Sequence, residues 1–168
     1  MNLILCGMMG SGKSTVGKLL AKTASWEWVD TDELIVCRYG KITDIFEQKG
    51  EGYFRALETK IVQELAKKDR LVISTGGGLV LKEENVSLLK KNGKFVYLRA
   101  KKETLALRLA ADKDRPLLQT EETLDEKLTR LLKERSAVYE RVADKIIDVD
   151  NKTPEKIVDE ILMSEKVK

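Results

Sequence analysis

The sequence predicts an α/β domain built on a parallel sheet, because short apolar runs alternate with longer amphipathic ones along the whole chain. Apolar runs fall at 2–6, 28–29, 71–74, 95–98 and 146–149, and helical patterns at 13–24, 52–67, 82–91, 102–111, 122–140 and 155–163. Strands separated by helices need crossover connections, which set neighbouring strands parallel and cover both faces of the sheet. The second observation is Gly7-Met8-Met9-Gly10-Ser11-Gly12-Lys13-Ser14-Thr15, a G-x-x-x-x-G-K-[ST] stretch that follows the first apolar run and opens the first helical one. The third is size: 168 residues with 42% hydrophobic content support one core, so residues 1–168 read as one domain without a second catalytic unit.

The phosphate loop has a defined chemistry. Gly7, Gly10 and Gly12 let the backbone turn tightly and aim N–H groups inward, where the positive end of the new helix adds to the attraction for phosphate oxygens. Lys13 is placed to bridge the β- and γ-phosphates of a nucleoside triphosphate, Ser14 to put its hydroxyl on Mg²⁺, and Thr15 to reach a phosphate nearer the nucleoside. A chance Lys-Ser after a glycine-rich turn is the plain alternative; strand, three glycines, Lys and Ser all falling in register speaks against it.

After the second strand, Val29-Asp30-Thr31-Asp32 puts two carboxylates two residues apart, on one face of an extended backbone. One is placed for Mg²⁺ and the other for a second ligand, although either alone also reads as a helix cap. Short helices fit Asp32–Tyr39 and Thr43–Lys49, with Thr43 as cap and Gly40 and Gly50 as breaks. In the next helix Arg55 offers a planar fork to a carboxylate, with Glu58 one turn on to hold it; the plain alternative is a surface ion pair. The buried strand at 71–74 runs into Thr75 and then Gly76-Gly77-Gly78, three residues costly to order unless a ligand approaches the backbone closely. All these groups follow strand ends, where ligands bind in open parallel sheets. The charged segment Ala111–Thr120 interrupts the helical pattern and reads as a lid carrying Arg115. Arg108 on the helix before it is placed to stack on an adenine or to face solvent.

Composition narrows the partners. A net charge of +3 from 31 basic and 28 acidic residues is too balanced for nucleic acid or a membrane surface, which leaves small molecules. The apolar start is too short for a membrane span, lacks a basic leader and runs into the phosphate loop; a cytoplasmic protein is expected. Cys6 and Cys37 lack metal-ligand spacing and predict no disulfide. With no histidine in the chain, any general base is a carboxylate, a perturbed lysine or the substrate's phosphate.

Gly7–Thr15, Asp30-Thr31-Asp32-Glu33-Leu34-Ile35, Phe54-Arg55-Ala56-Leu57-Glu58 and Gly76-Gly77-Gly78, taken in order, resemble the successive signatures of the shikimate kinases. Arg115-Pro116-Leu117-Leu118 and Arg135 with Tyr139 extend the likeness over essentially the whole chain. The resemblance implies a nucleoside-monophosphate-kinase-like fold with five parallel strands, a substrate-binding helical insertion at about 32–60 and a lid at about 112–121. It implies transfer of the ATP γ-phosphoryl group to the 3-hydroxyl of shikimate, on the route to aromatic amino acids; a monomer is expected, although the sequence itself does not give the oligomeric state. Gly10, Ser11, Gly12, Lys13, Ser14, Thr15, Arg108, Arg115 and Lys152 then belong to ATP. Asp32, Arg55, Gly77 and Arg135 belong to shikimate, with Ser14 and Asp30 on Mg²⁺. Lys13, Asp32 and Arg115 carry the transfer. The chain departs from the family where Arg-x-Pro-Leu-Tyr becomes Arg135-Ser136-Ala137-Val138-Tyr139, which lets a helix run through unbroken. Around 148–154, Lys152 and Pro154 resemble an adenine loop, but Thr153-Pro154-Glu155 equally reads as a cap and first turn of the last helix. A gluconate or nucleotide kinase, or a nucleotide sensor without transfer activity, are the other readings; Asp32, Arg55 and the triple glycine favour a small acidic polyol as acceptor.

Overall fold

The computed structural model describes residues 1–111 and 122–165. The expected lid and Arg115 lie outside the described residues. In chain order the elements are β1 (Asn2–Cys6), α1 (Lys13–Ala24), β2 (Glu27–Asp30), α2 (Thr31–Tyr39), α3 (Ile42–Lys49), α4 (Glu51–Leu65), β3 (Leu71–Ser74), a 3-10 turn (Leu79–Leu81), α5 (Glu83–Lys90), β4 (Gly93–Arg99), α6 (Lys102–Ala111), α7 (Leu124–Val142), β5 (Lys145–Asp148) and α8 (Pro154–Glu165).

All five strands join one parallel sheet in the order β2-β3-β1-β4-β5. Every residue of β1 and β3 is buried. Since alternate strand residues face opposite sides, this means that helices cover both faces. β1 is central, and the loop that follows it opens at the carboxyl edge between its neighbours β3 and β4.

Local chemistry explains where the elements begin and end. α7 starts from a capping box in which Thr123 Oγ1 accepts from the Glu126 N–H while the Glu126 carboxylate accepts from the Thr123 N–H. The helix then runs unbroken through Ala137 to Val142, as the missing proline allows. β2 is longer than its apolar pair suggests, because its ladder with β3 extends from Glu27 opposite Leu71 to Asp30 opposite Ser74. Thr43 is not a cap. Lys41 is the capping residue of α3, its carbonyl taking the first bond from the Ile45 N–H at 3.1 Å, so Thr43 falls inside the first turn. Cys6 is buried in β1, Cys37 is exposed on α2, and both are free thiols.

Candidate active site

The phosphate loop leaves β1 and closes into α1 with Gly10 at φ 80° and Gly12 at φ 94°, left-handed positions that favour glycine. The Lys13 ammonium folds over the loop and donates to the carbonyls of Gly7 at 2.7 Å and Met8 at 2.9 Å. Arg108 reaches the loop from α6 and donates to the Ser11 carbonyl at 3.1 Å. The loop therefore carries two cationic side chains beside the inward-aimed start of a helix, which suits an anionic ligand.

β2 supplies the acidic side. Asp30 both caps and connects: its Oδ1 accepts from the N–H groups of Asp32 and Glu33 at the start of α2, and its Oδ2 accepts from the Ser14 hydroxyl at 2.9 Å. Ser14 and Asp30 thus hold a hydroxyl and a carboxylate together beside Lys13. That donor set fits Mg²⁺, which takes one or two protein oxygens and completes its shell with phosphates and water. Among the described residues no cluster of three or more His, Cys, Asp or Glu side chains exists, so these residues offer no all-protein cage.

The triple glycine closes the other side. A Cβ on Gly76 would stand 2.6 Å from Asp32 Oδ1, one on Gly77 2.9 Å from Arg135 Nη1, and one on Gly78 2.5 Å from Arg55 Nη2. Each glycine leaves room for one charged side chain, so Asp32, Arg135 and Arg55 pack against three consecutive residues. The turn is itself fixed: Gly76 N–H donates to Thr31 Oγ1 at 3.0 Å, and the Tyr139 hydroxyl donates to the Gly77 carbonyl at 2.6 Å. A cleft of about 390 Å³ runs between the phosphate loop and this turn, lined among others by Lys13, Asp32, Gly77, Arg108 and Arg135. Its volume suits a small molecule.

Arg55 lies beside the cleft, held by Glu58 at 2.6 Å and Glu51 at 3.4 Å. Glu58 is only 1% exposed, and among the described residues its second oxygen has no hydrogen-bond partner. Burial pushes its carboxyl above the usual carboxylate range, with repulsion from Asp32 adding to this; the Arg55 guanidinium pulls the other way and does not cancel it. Arg55 itself is a firm cation: burial works against its charge, and the bonds to Glu58 and Glu51 outweigh that. Burial also holds the Tyr139 phenol protonated, its pKa raised to about 12, so it acts as a donor to the glycine turn.

The structure brings Gly10, Gly12, Lys13, Ser14, Thr15, Asp30, Asp32, Gly77, Arg108 and Arg135 to one cleft, with Ser11 inside the loop and Arg55 behind Gly78. Lys152 goes elsewhere: its ammonium pairs with Glu160 of α8 at 2.8 Å, and it is not among the residues lining the cleft. Thr153 beside it accepts from the Lys156 N–H, the cap arrangement read as the alternative. Thr31 and Ser74 were not foreseen. Thr31 has no signal apart from its place between two aspartates. Ser74 Oγ, which donates to the Lys13 carbonyl at 2.9 Å, has an indirect one in the glycine at position 17.

A phosphate loop sharing so small a cleft with a carboxylate and an arginine, Asp32 and Arg135, with Arg55 beside it, is the layout of a small-molecule kinase of the phosphate-loop class. Comparison with known proteins makes this specific. Residues 9–165 match the family model for shikimate kinase. The shikimate kinase of Sulfurihydrogenibium sp. (strain YO3AOP1) is 50% identical over 162 residues, covering 96% of this chain and 95% of that protein. A solved shikimate kinase from Acinetobacter baumannii, in complex with shikimate, is 39% identical with a TM-score of 0.90, over 99% of this chain and 95% of that one. A gluconokinase from Sinorhizobium meliloti, at 21% identity and a TM-score of 0.64, shares the fold alone. The chain belongs to the shikimate kinase family, whose members phosphorylate a hydroxyl of shikimate with ATP.

Proposed function

We propose that this chain transfers the γ-phosphoryl group of ATP to the 3-hydroxyl of shikimate, giving shikimate 3-phosphate and ADP, with the roles divided across the cleft as follows. The backbone from Gly10 to Thr15 cradles the phosphates, Lys13 neutralises charge on the transferring group and Arg108 holds the nucleotide side of the loop. Arg55 and Arg135 take the shikimate carboxylate, which orients the ring so that the 3-hydroxyl faces the loop. Asp32 accepts a hydrogen bond from that hydroxyl and takes its proton as the oxygen attacks phosphorus. The chain has no histidine to compete for that role. Glu58 keeps Arg55 aimed. Ser14 and Asp30 hold Mg²⁺, which when bound neutralises charge on the β- and γ-phosphates.

The observation that carries this reading is the seating of Asp32, Arg135 and Arg55 on Gly76, Gly77 and Gly78. It sets a carboxylate and one guanidinium, Asp32 and Arg135, in a cleft that the phosphate loop also lines, with a second guanidinium, Arg55, beside it, which supports an acceptor that carries both a hydroxyl and a carboxylate. A nucleotide acceptor needs an apolar base pocket instead. Arg115, outside the described residues, is proposed to neutralise charge on the phosphates during transfer, and the helices at about 32–60 to form the substrate-binding part. The protein works as a monomer in the cytoplasm, without nucleic acid or membrane; among the described residues no helix is long and apolar enough to cross a bilayer.

A coupled assay of ADP release tests the reading, with ATP and Mg²⁺ and with shikimate, gluconate, AMP or no acceptor in parallel. Release with shikimate alone is expected, and it is lost in Lys13→Ala. Release with AMP or gluconate but not with shikimate overturns the assignment.

A further inference from the structure

Trp28 and Gly17 play no part in the scheme above, yet they meet directly beneath the phosphate loop. The Trp28 indole N–H donates to Ser74 Oγ at 3.0 Å, and Ser74 Oγ donates its own proton to the Lys13 carbonyl at 2.9 Å. A serine hydroxyl has one proton, and an indole nitrogen can only donate. The indole therefore fixes the direction of the hydroxyl: with Trp28 donating, the Ser74 proton is directed onto Lys13. Ser74 is fully buried at the end of β3, directly opposite Asp30 in the β2 ladder, so the acceptor of the indole is itself immobile.

Gly17 makes this possible. It lies inside α1, where glycine is a poor helix former. A Cβ there would come within 2.6 Å of both Ser74 Oγ and Trp28 Nε1 and 2.9 Å of Trp28 Cδ1. Helix and strand approach too closely for any side chain, and what fills the gap is the indole–hydroxyl pair. Trp28 and Asp30 are two apart on β2 and share a face. Asp30 holds the Ser14 side chain while Trp28, through Ser74, holds the Lys13 main chain. The first turn of α1 is clasped at two successive residues, Ser14 by Asp30 of β2 and Lys13 by Ser74 of β3, whose hydroxyl Trp28 of β2 directs.

We infer that Trp28 is a positioning residue for the phosphate loop, acting through Ser74 on the Lys13 carbonyl, and that Gly17 is required to let it do so. Its effect falls on nucleotide binding and not on the acceptor. The inference rests on the loop's being the nucleotide site. Trp28→Phe keeps an aromatic ring there and removes the donor, together with part of the indole's bulk. Titration calorimetry with ADP is expected to show Kd raised about three- to tenfold, the range for losing one hydrogen bond, while shikimate Kd stays within about twofold. Gly17→Ala is expected to raise ADP Kd at least as much, against its gain in helix propensity. The double variant Trp28→Phe/Ser74→Ala should bind ADP no more weakly than Ser74→Ala alone, because the indole N–H acts only through the hydroxyl, and the aromatic face that the Lys18 ammonium of α1 covers at 4.5 Å is kept in phenylalanine. Unchanged ADP affinity in Trp28→Phe overturns the inference, as does an equal loss for both ligands or additive losses in the double variant. Wild type that binds no ADP would instead refute the nucleotide reading of the loop, a result separate from the variant comparison.

Discussion

Gly78→Ala isolates the fit between the glycine turn and the substrate arginine. Gly78 has an ordinary right-handed backbone with φ −98°, so alanine introduces no conformational strain there. The three atoms nearest the added methyl all belong to the Arg55 guanidinium: Nη2 at 2.5 Å, Nη1 at 2.6 Å and Cζ at 2.8 Å. Ordinary van der Waals contact needs about 3.5 Å, so the guanidinium must retreat by about 1 Å. It cannot do so freely, because Glu58 holds Nη1 at 2.6 Å and is itself buried in α4. A misplacement of about 1 Å in a group that orients a substrate lowers turnover by up to ~100-fold, or about 2.7 kcal/mol in transition-state binding. We expect kcat/KM for shikimate to fall by about 10- to 100-fold in the ADP-release assay, with ADP affinity unchanged and a melting temperature close to wild type. Wild-type kcat/KM would show that Arg55 is not held against the turn in the working enzyme. An equal loss for both ligands would show that the methyl disturbs the whole cleft.

Other perturbations separate the remaining roles. Arg108→Ala removes a cation bonded to the loop carbonyls and should raise KM for ATP about tenfold with little change for shikimate, read by varying each substrate in turn. Glu58→Gln should be more stable than wild type at neutral pH. The folded carboxyl is raised above its ordinary value of 4.5, so ionising it opposes folding, and the difference should appear as pH rises past that value and vanish below it in urea titrations. The same variant should bind shikimate more weakly, because Arg55 loses its charged partner. Arg115→Ala should lower kcat more than it raises KM for shikimate, the signature of a group acting after binding. A thiol reagent should modify Cys37 alone in the native protein and both cysteines in denaturant: Cys6 is fully buried and burial raises its thiol to about 12, which leaves almost no thiolate.

The sheet was legible because buried parallel strands are apolar throughout, as in Leu3-Ile4-Leu5 and Leu71-Val72-Ile73. β2 was half hidden. As an edge strand it carries Glu27 and Asp30, which no apolar run includes. The phosphate loop could be read because its chemistry depends on consecutive residues. The seating of three side chains on three glycines could not, because Asp32, Arg55 and Arg135 come from α2, α4 and α7, and only the fold tells which glycine faces which charge. Thr43 shows the limit of naming caps by residue type: the chain after Gly40 is extended through Lys41, and that geometry sets the start of α3. The pairing of Lys152 with Glu160, two turns into α8, is likewise set by the fold and has no signal in the sequence.

The two outer strands, β2 and β5, are four residues each and carry charges along their length: Glu27 and Asp30 on one side, Lys145 and Asp148 on the other. Asp148 is further tied up by Arg99, which binds both of its oxygens at 2.6 and 3.0 Å. A second chain seeking to extend the sheet would find few open backbone groups and would have to strip water from charged side chains to reach them. Polymerisation by strand addition, the standing hazard of an open sheet, is thereby discouraged at both margins.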